Sequence, residues 1–130
     1  MFFGKTDQVL DDKNRIAIPA KWRDQFDAPA YLTAGRESCI AIYTKEAFEA
    51  RSLEVFALSP DTKEGRDKRR QFFKLTNDVA KDSSGRLLVP QALIEHAHLT
   101  KDIVVQGCGE YFEVWDKDAW TAYDDGTVGE

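Results

Sequence analysis

The sequence has few of the residues from which metal sites and disulfide frameworks are built. Of its 130 residues, only two are cysteine and two are histidine. Cys39 and Cys108 lie in no metal-ligand spacing, which predicts two small buried or half-buried thiols. His96 and His98 are two positions apart. They would point to different faces of a helix, whereas helical metal pairs sit at i, i+3 or i+4. We therefore expect neither a disulfide nor a metal site.

Long apolar runs are also absent. No stretch approaches the roughly 18 to 20 apolar residues that cross a bilayer, and the first residues lack a basic leader followed by an apolar segment. Hydrophobic residues make up 42% of the sequence and aromatic residues 12%, which is enough to bury a core and argues against intrinsic disorder. We expect a folded, cytoplasmic protein.

The sequence lacks the residue combinations of an enzyme. The carboxylates Asp11, Asp12 and Asp82 form no nucleophile and base pair with the neighbouring arginines. Neither histidine lies in a catalytic motif, and no glycine-rich loop could cradle a phosphate. We expect no catalytic activity and no cofactor.

Net positive charge is missing as well, although its distribution matters more than its total. The formal net charge is −5. Residues 1–109 hold 17 Lys and Arg against 16 Asp and Glu, a balance of +1, whereas residues 110–130 hold one Lys against seven acids, a balance of −6. A near-neutral body with clustered Lys and Arg can bind DNA when an oligomer aligns several copies of one basic patch. The acidic total therefore does not exclude a nucleic-acid partner.

The most informative feature of the sequence is an internal repeat. Residues 11–19 (DDKNRIAIP) match residues 82–90 (DSSGRLLVP) at an offset of 71, with Asp, Arg and Pro in the same places. After one inserted residue the match resumes at an offset of 72, where residues 39–50 (CIAIYTKEAFEA) pair with residues 111–122 (YFEVWDKDAWTA). Two matching blocks in the same order indicate two copies of one structural unit.

Each copy predicts the same succession of elements: strand, turn, strand, short helix, strand, turn, strand. The Asp-x-x-x-Arg segment, with Asn14 or Gly85 before the arginine, is typical of a tight turn because Asn and Gly accept positive φ. Pro19 or Pro90 ends the strand that follows and can open a short helix. The predicted strands are 16–18, 31–33 and 39–43 in the first copy and 87–89, 103–106 and 111–115 in the second, with helices at 20–26, 91–96 and from Lys45 and Lys117.

A unit of about 40 residues can hardly bury a core of its own, so we expect the two copies to interlock into one body. The predicted division is module 1 at residues 1–50, a connector at 51–78, module 2 at 79–123 and a polar tail at 124–130. Residues 59–78 of the connector predict a helix with a basic cluster around its aromatic residues. A solvated face, a phosphate contact and a contact between subunits are all open for this cluster. Its members are Arg66, Lys68, Arg69, Arg70 and Lys74.

The motifs resemble those of one known family over nearly the whole chain. Segments similar to the MraZ family are MFFG at 1–4, LDDKNR at 10–15, IPAKWR at 18–23, RQFF at 70–73, DSSGRLL at 82–88 and FEVWD at 112–116. The paired Asp-x-x-x-Arg motifs are specific, whereas either one alone would be weak. Asn14 departs from the family, whose first motif usually has Gly here. Asn tolerates a left-handed turn, so the loop shape should survive.

This resemblance implies an α+β protein that is mainly β with short helices. It implies two SpoVT-AbrB modules, each half of a pseudo-twofold swapped-hairpin β-barrel, in chains that assemble into closed homo-oligomeric rings. It further implies a sequence-specific DNA-binding transcriptional regulator, a repressor of the division and cell wall gene cluster. Such a protein binds short direct repeats of double-stranded promoter DNA and associates with the nucleoid.

The two arginines of the repeated motif are the main candidates for DNA contact. A two-stranded β ribbon can enter the major groove, where an arginine can donate two parallel hydrogen bonds to guanine O6 and N7. Arg15 and Arg86 are predicted at the tip of such a ribbon. Alternatively, each arginine only pairs with the aspartate of its own motif. The two interpretations are compatible, because a carboxylate can orient the guanidinium plane.

The same turns contain residues in supporting roles. Lys13, Ser83 and Ser84 can reach phosphates, which position a protein without specifying sequence. Lys21 and Arg23 are further candidates for DNA contact. The predicted support of the motif itself comes from Asp11, Asn14, Asp82 and Gly85.

Two other functional classes remain open. An AbrB-fold binding module with a protein partner, such as an antitoxin, usually carries one module and a long partner-binding tail. Two modules and a short end disfavour that class here. A purely structural ring-forming protein can be dismissed only by a DNA-binding assay.

Overall fold

The computed structural model describes residues 1–127, which form an α+β fold. The strands are β1 (Lys5–Val9), β2 (Arg15–Ala17), β3 (Ala30–Ala34), β4 (Cys39–Tyr43), β5 (Asn77–Val79), β6 (Arg86–Leu88), β7 (Asp102–Gly107) and β8 (Tyr111–Asp116). The α-helices are α1 (Lys45–Phe56), α2 (Lys63–Phe73), α3 (Gln91–Ala97) and α4 (Lys117–Ala122). A 3₁₀ helix spans Ala20–Phe26, and a π-helical turn spans Tyr123–Thr127.

Six strands form one antiparallel sheet in the order β1-β7-β8-β4-β3-β5, and β2 pairs with β6 in a separate two-stranded ribbon. β1 precedes the first Asp-x-x-x-Arg turn but pairs with β7, which follows the second turn. β5 precedes the second turn but pairs with β3, which follows the first. Exchanging the two copies leaves the strand order unchanged, so the sheet has pseudo-twofold symmetry about the β4–β8 pair. The copies interlock, as expected from the size of one unit.

The predicted barrel is not confirmed. Over residues 1–127 the sheet is open, with β1 and β5 at its edges, and the β2–β6 ribbon lies apart from it in the pairing pattern. The mixed α+β architecture with an antiparallel sheet and short helices agrees with the prediction.

The main core lies between the inner face of the sheet and a layer made of the ribbon, the 3₁₀ helix and α3. Alternation along β4 and β8 turns every second side chain to this face. Burying one such aliphatic or aromatic side chain contributes about 1.5–3 kcal/mol. Fully buried members of the core include Ile16, Phe26, Ile42, Leu87, Leu93 and Phe112. The ribbon is therefore held on the sheet by its own apolar face.

Helices cover the opposite face of the sheet. Phe48 of α1 stacks on Tyr31 with ring centroids 4.8 Å apart, and Phe72 of α2 stacks on Phe48 at 5.7 Å. Toward the other end, Trp120 of α4 packs on the small cluster that contains Trp115. Both Asp-x-x-x-Arg turns lie at the ribbon, so these helices position neither of them.

The prediction of one helix over residues 59–78 was wrong at both ends. Thr62 caps α2 by accepting a hydrogen bond from the Gly65 N–H at 2.9 Å, so the helix starts at Lys63. Residues 77–79 form β5 because β3 supplies backbone partners for them. The other strands and helices whose bounds were predicted lie within one residue of those bounds.

None of the helices described between residues 1 and 127 combines the length and apolarity required to cross a membrane. Of the predicted polar tail at 124–130, residues 128–130 lie outside the described residues. Residues 124–127 belong to the π-helical turn.

Candidate nucleic-acid interface

The first Asp-x-x-x-Arg motif folds into a clasp closed by its aspartate. Asp11 Oδ1 accepts hydrogen bonds from the backbone N–H groups of Lys13 and Arg15, both at 2.9 Å. Asp11 Oδ2 accepts from Arg15 Nε, also at 2.9 Å. The Asn14 N–H donates to the Asp11 carbonyl at 3.0 Å. One carboxylate therefore holds both the turn and the orientation of the guanidinium.

The second motif forms the same clasp. Asp82 Oδ1 accepts from the N–H groups of Ser84 and Arg86 at 2.9 and 3.0 Å, and Oδ2 accepts from Arg86 Nε at 3.1 Å. The residue before the arginine has φ +60° at Asn14 and +77° at Gly85. Asparagine thus adopts the left-handed turn of the first motif, and the prediction that the loop shape survives there is confirmed.

The two clasps touch each other. Arg15 Nη1 lies 3.8 Å from Asp82 Oδ2, and Arg86 Nη1 lies 3.8 Å from Asp11 Oδ2. The four side chains remain 26–35% exposed, so the cross pairs add little stability. Their main effect is on the positions of the two guanidinium groups. This reciprocal contact joins two motifs that are offset by 71 positions in sequence.

Hydrogen bonding keeps both aspartates ionised. The backbone N–H of Arg15 lowers the pKa of Asp11, and the Arg15 guanidinium lowers it further, although burial acts in the opposite direction. The backbone N–H of Arg86 lowers the pKa of Asp82 in the same way, again against burial. Both aspartates are therefore carboxylates at neutral pH.

The ribbon presents both clasps on its outward face. Ile16 and Leu87 face each other across the ribbon and are fully buried against the core. Side chains alternate along a strand, so Arg15 and Arg86 lie on the opposite face. The register places Arg15 two positions diagonally from Arg86. The arginines are therefore neighbours on one outward surface.

The two edges of each arginine side chain are engaged to different degrees. Nε is engaged by the aspartate of the same motif. Across residues 1–127, neither Arg15 nor Arg86 donates a hydrogen bond from a terminal guanidinium nitrogen. The two terminal nitrogens form the planar fork that suits a pair of acceptors such as guanine O6 and N7. Nη1 of each arginine lies 3.8 Å from the aspartate of the other motif, so among residues 1–127 the terminal edge makes a long ion pair but no hydrogen bond.

The turn tips contain the predicted phosphate-contacting residues. Lys13, Ser83 and Ser84 are all exposed. At the offset of 71, Lys13 corresponds to Ser84, so the first tip carries a cation where the second is neutral.

Lys21 and Arg23 have different surroundings. Lys21 is exposed, with Nζ 5.3 Å from the centroid of the Phe3 ring. Arg23 is half-buried and donates from Nε to the Ile18 carbonyl at 2.8 Å. Its side chain lies against the second turn, where a Cβ atom added to Gly85 would be 2.5 Å from Arg23 Nε. Arg23 therefore supports the second clasp from the neighbouring 3₁₀ helix.

Sequence reasoning missed two neighbours of the clasps. Gln91 Oε1 accepts a hydrogen bond from Asn14 Nδ2 at 3.4 Å, a contact across 77 positions with no local signal. Leu88 is 57% exposed and lies directly opposite Arg15 in the ribbon. Strand alternation could have predicted the second finding, because residue 88 shares a face with Arg86.

The basic cluster of α2 is engaged within the connector. Arg69 donates from Nε to the Leu58 carbonyl at 2.9 Å and from Nη2 to the Phe56 carbonyl at 3.0 Å, which satisfies the C-terminal end of α1. Arg66 donates to the Pro60 carbonyl at 3.0 Å. Lys68 pairs with Glu64, and Arg70 pairs with Asp67, at helical spacings. These contacts favour the solvated, internally paired face over a phosphate site.

A cavity of about 660 Å³ opens on the helix-covered face of the sheet. Glu37 and Glu113 line this cavity, and with the buried Cys39 each places a potential ligand atom within 4.8 Å of the others. Burial, and then Glu113, raise the pKa of the Cys39 thiol far above its usual range. This cluster lies on the face of the sheet opposite the ribbon, so it is separate from the candidate interface. Cys39 is buried and Cys108 half-buried, both as free thiols, as predicted.

The fold and the twin clasps define a class: a two-copy α+β protein that presents two oriented arginines on a β ribbon. The family described as "MraZ protein, putative antitoxin-like" matches residues 1–71 and again residues 72–127. This repeated match covers nearly the whole chain.

Individual relatives agree with the family match. A protein named "Transcriptional regulator MraZ" from Clostridium tetani is 34% identical over 128 residues, which cover 98% of this chain and 90% of the relative. Proteins of the same name from Cutibacterium acnes and Frankia alni are 38% and 37% identical and cover 95% of this chain and 87% and 86% of the relatives. The chain belongs to the MraZ family. The family is one of transcriptional regulators, which confirms the prediction that the protein is not an enzyme.

Proposed function

We propose that this protein is a transcriptional regulator that binds double-stranded DNA sequence-specifically through Arg15 and Arg86. The observation that carries the proposal is how the side chains of these two arginines are held. Each is held at Nε by a carboxylate on the outward face of a two-stranded ribbon, and within residues 1–127 its terminal nitrogens make only a long ion pair and no hydrogen bond. Holding a long side chain in advance of binding reduces the conformational entropy that binding would remove.

The dimensions of the ribbon suit the major groove, which is about 12 Å wide and admits a two-stranded β ribbon. Diagonal neighbours across a β pair are about 7–8 Å apart, which is about two base-pair steps of DNA. Arg15 and Arg86 stand in this diagonal relation. We therefore propose that one chain contacts two guanines about two steps apart.

Sequence-independent contacts complete the interface. Lys13, Ser83 and Ser84 at the turn tips reach backbone phosphates, and Lys21 adds positive charge. Arg23 acts mainly through Gly85, by supporting the second turn. Several copies in one oligomer multiply these contacts, which compensates for the acidic total charge.

The family resemblance supports finer assignments within the same proposal. The chain is divided into SpoVT-AbrB modules at 1–50 and 79–123, with a connector at 51–78, and its ribbon and sheet together provide the swapped-hairpin arrangement of that module. The protein acts as a closed homo-oligomeric ring in the cytoplasm, associated with the nucleoid. It represses the division and cell wall gene cluster through direct repeats in the promoter.

The test is binding to duplexes that tile the DNA upstream of the protein's own gene. Replacing either arginine by alanine should weaken binding to the best duplex by roughly 1–3 kcal/mol per engaged subunit and relax discrimination against replaced guanines. Arg15→Lys and Arg86→Lys should rescue little, because lysine keeps the charge but loses the planar fork.

Arg36→Ala is the matched control, since Arg36 is an exposed arginine in the β3–β4 turn, outside the ribbon. It should leave binding unchanged. The proposal fails if the alanine variants of the clasps melt early and lose binding only in proportion to unfolding. Wild-type protein that binds none of the duplexes at low salt would instead favour the protein-partner class.

A further inference from the structure

The outward face of the ribbon carries one large apolar side chain beside an arginine. Leu88 is 57% exposed, whereas its chain neighbours Leu87 and Val89 are buried. The register sets Leu88 directly opposite Arg15, and directly opposed side chains on one face have Cβ atoms about 4.5–5.5 Å apart. The backbone beside Leu88 and Arg15 is fixed, because the Val89 N–H donates to the Asn14 carbonyl at 2.8 Å.

Arg86, at the other end of the ribbon, has a different neighbour. At the offset of 71, Leu88 corresponds to Ala17, which lies opposite Arg86 in the same register. Arg15 thus has a long apolar neighbour and Arg86 a short one. The pseudo-twofold symmetry of the backbone is therefore broken in the side chains that flank the two arginines.

In the major groove, the apolar group at a base edge is the C5-methyl group of thymine. An arginine that contacts guanine O6 and N7 brings its immediate neighbour on the ribbon to the edge of an adjacent base pair. We propose that Leu88 is a specificity-determining residue, which contacts the methyl group of a thymine next to the guanine that Arg15 contacts. This inference rests on the proposed function. The inference predicts different base preferences beside Arg15 and beside Arg86, because Ala17 extends less far toward the bases than Leu88.

The contact can be tested by removing the methyl group from the DNA. The probe is the tightest-binding duplex from the region upstream of the protein's own gene, with each thymine replaced in turn by deoxyuridine. At one position per contacted site, the wild-type protein should bind about fourfold more weakly, since burying one methyl-sized group is worth about 0.8 kcal/mol and about 1.4 kcal/mol is tenfold. Leu88→Ala should remove this position-specific loss and bind both duplexes alike.

Two further variants sharpen the test. Leu53→Ala is the matched control, because Leu53 is a 66% exposed leucine on α1, away from the ribbon. It should keep the full deoxyuridine effect. Ala17→Leu should add sensitivity to deoxyuridine at a second position, next to the guanine that Arg86 contacts.

The outcomes separate this inference from the proposed function. If Arg15→Ala relaxes guanine discrimination but no deoxyuridine position distinguishes wild type from Leu88→Ala, the role of Leu88 is refuted and DNA recognition stands. If Leu88→Ala lowers the molar mass by light scattering and weakens all duplexes equally, Leu88 is a contact between copies, and the inference is again overturned. If Arg15→Ala leaves discrimination intact, both the inference and the proposed function fail.

Discussion

Gly85 is the position at which the second clasp tolerates least change. Its φ is +77°, and a Cβ atom added there would lie 2.5 Å from Arg23 Nε and 2.6 Å from Arg23 Cδ. Alanine at position 85 would therefore adopt an unfavourable backbone conformation and also displace Arg23. The displacement would break the hydrogen bond from Arg23 Nε to the Ile18 carbonyl, which is 2.8 Å long.

The expected magnitude follows from these two effects. The left-handed conformation costs a residue with a Cβ atom about 1–2 kcal/mol. Loss of one partly buried hydrogen bond costs about 1 kcal/mol more. Gly85→Ala should therefore lower the free energy of unfolding by about 2–3 kcal/mol. For a chain of this length, that corresponds to a decrease in Tm of about 10 °C.

Matched variants separate the two contributions. Asn14 has the same left-handed conformation in the first clasp, with φ +60°, and it already carries a Cβ atom. Asn14→Gly should therefore change stability by no more than about 0.5 kcal/mol. In an Arg23→Ala background, Gly85→Ala should cost only the backbone contribution of about 1–2 kcal/mol.

Urea unfolding and thermal melting of the four proteins in this double-mutant cycle measure the coupling between Gly85 and Arg23. A loss below about 0.5 kcal/mol for Gly85→Ala would show that the turn relaxes at little cost. An equal loss with and without Arg23 would show that the close approach of Arg23 is unimportant. Either result refutes the reasoning.

Three other predictions concern assembly, ionic strength and pH. The protein should be a homo-oligomer larger than a dimer, because head-to-tail contacts between two-copy chains close into rings, and light scattering that finds a monomer at micromolar concentration would contradict this. DNA affinity should fall steeply with salt despite the acidic total charge, and Lys13→Ala should reduce the slope while weakening all sequences about equally, as titrations at several salt concentrations will show. Since the pKa values of Asp11 and Asp82 are lowered by folding, their stabilisation is present above the usual aspartate pKa and is lost as pH falls through the lowered values. An Asp11→Asn, Asp82→Asn double variant should therefore show a shallower fall of Tm on acidification than wild type, and identical pH profiles would refute the role of the carboxylates.

Several features of this protein could be predicted from the sequence because their causes are local. Asp-x-x-x-Arg with Asn14 or Gly85 before the arginine specifies its turn through hydrogen bonds that span only five residues. The repeat and the apolar alternation likewise located most strands and short helices to within one residue. The motifs also identified the family, and the arginines, aspartates and turn tips that form the candidate interface.

Strand partners, in contrast, were decided only by the tertiary structure. Residues 77 and 78 end a segment with a helical, basic pattern, yet with residue 79 they form β5 because β3, far away in sequence, leaves an edge for them. The pairing of β1 with β7 and the order of strands in the six-stranded sheet have the same origin. Backbone pairing between distant segments depends on which edges the fold leaves free, and local patterns do not contain that information.

Contacts between the two copies likewise determined which side chains are neighbours in the candidate interface. The sequence by itself determined that each arginine has an aspartate within its own turn. Only the fold brings Arg15 within 3.8 Å of Asp82, places Arg23 under Gly85 and sets Leu88 opposite Arg15. The physical reason is that the β2–β6 pairing aligns the two motifs side by side over a shared core, so that residues 71 positions apart become neighbours on one outward face.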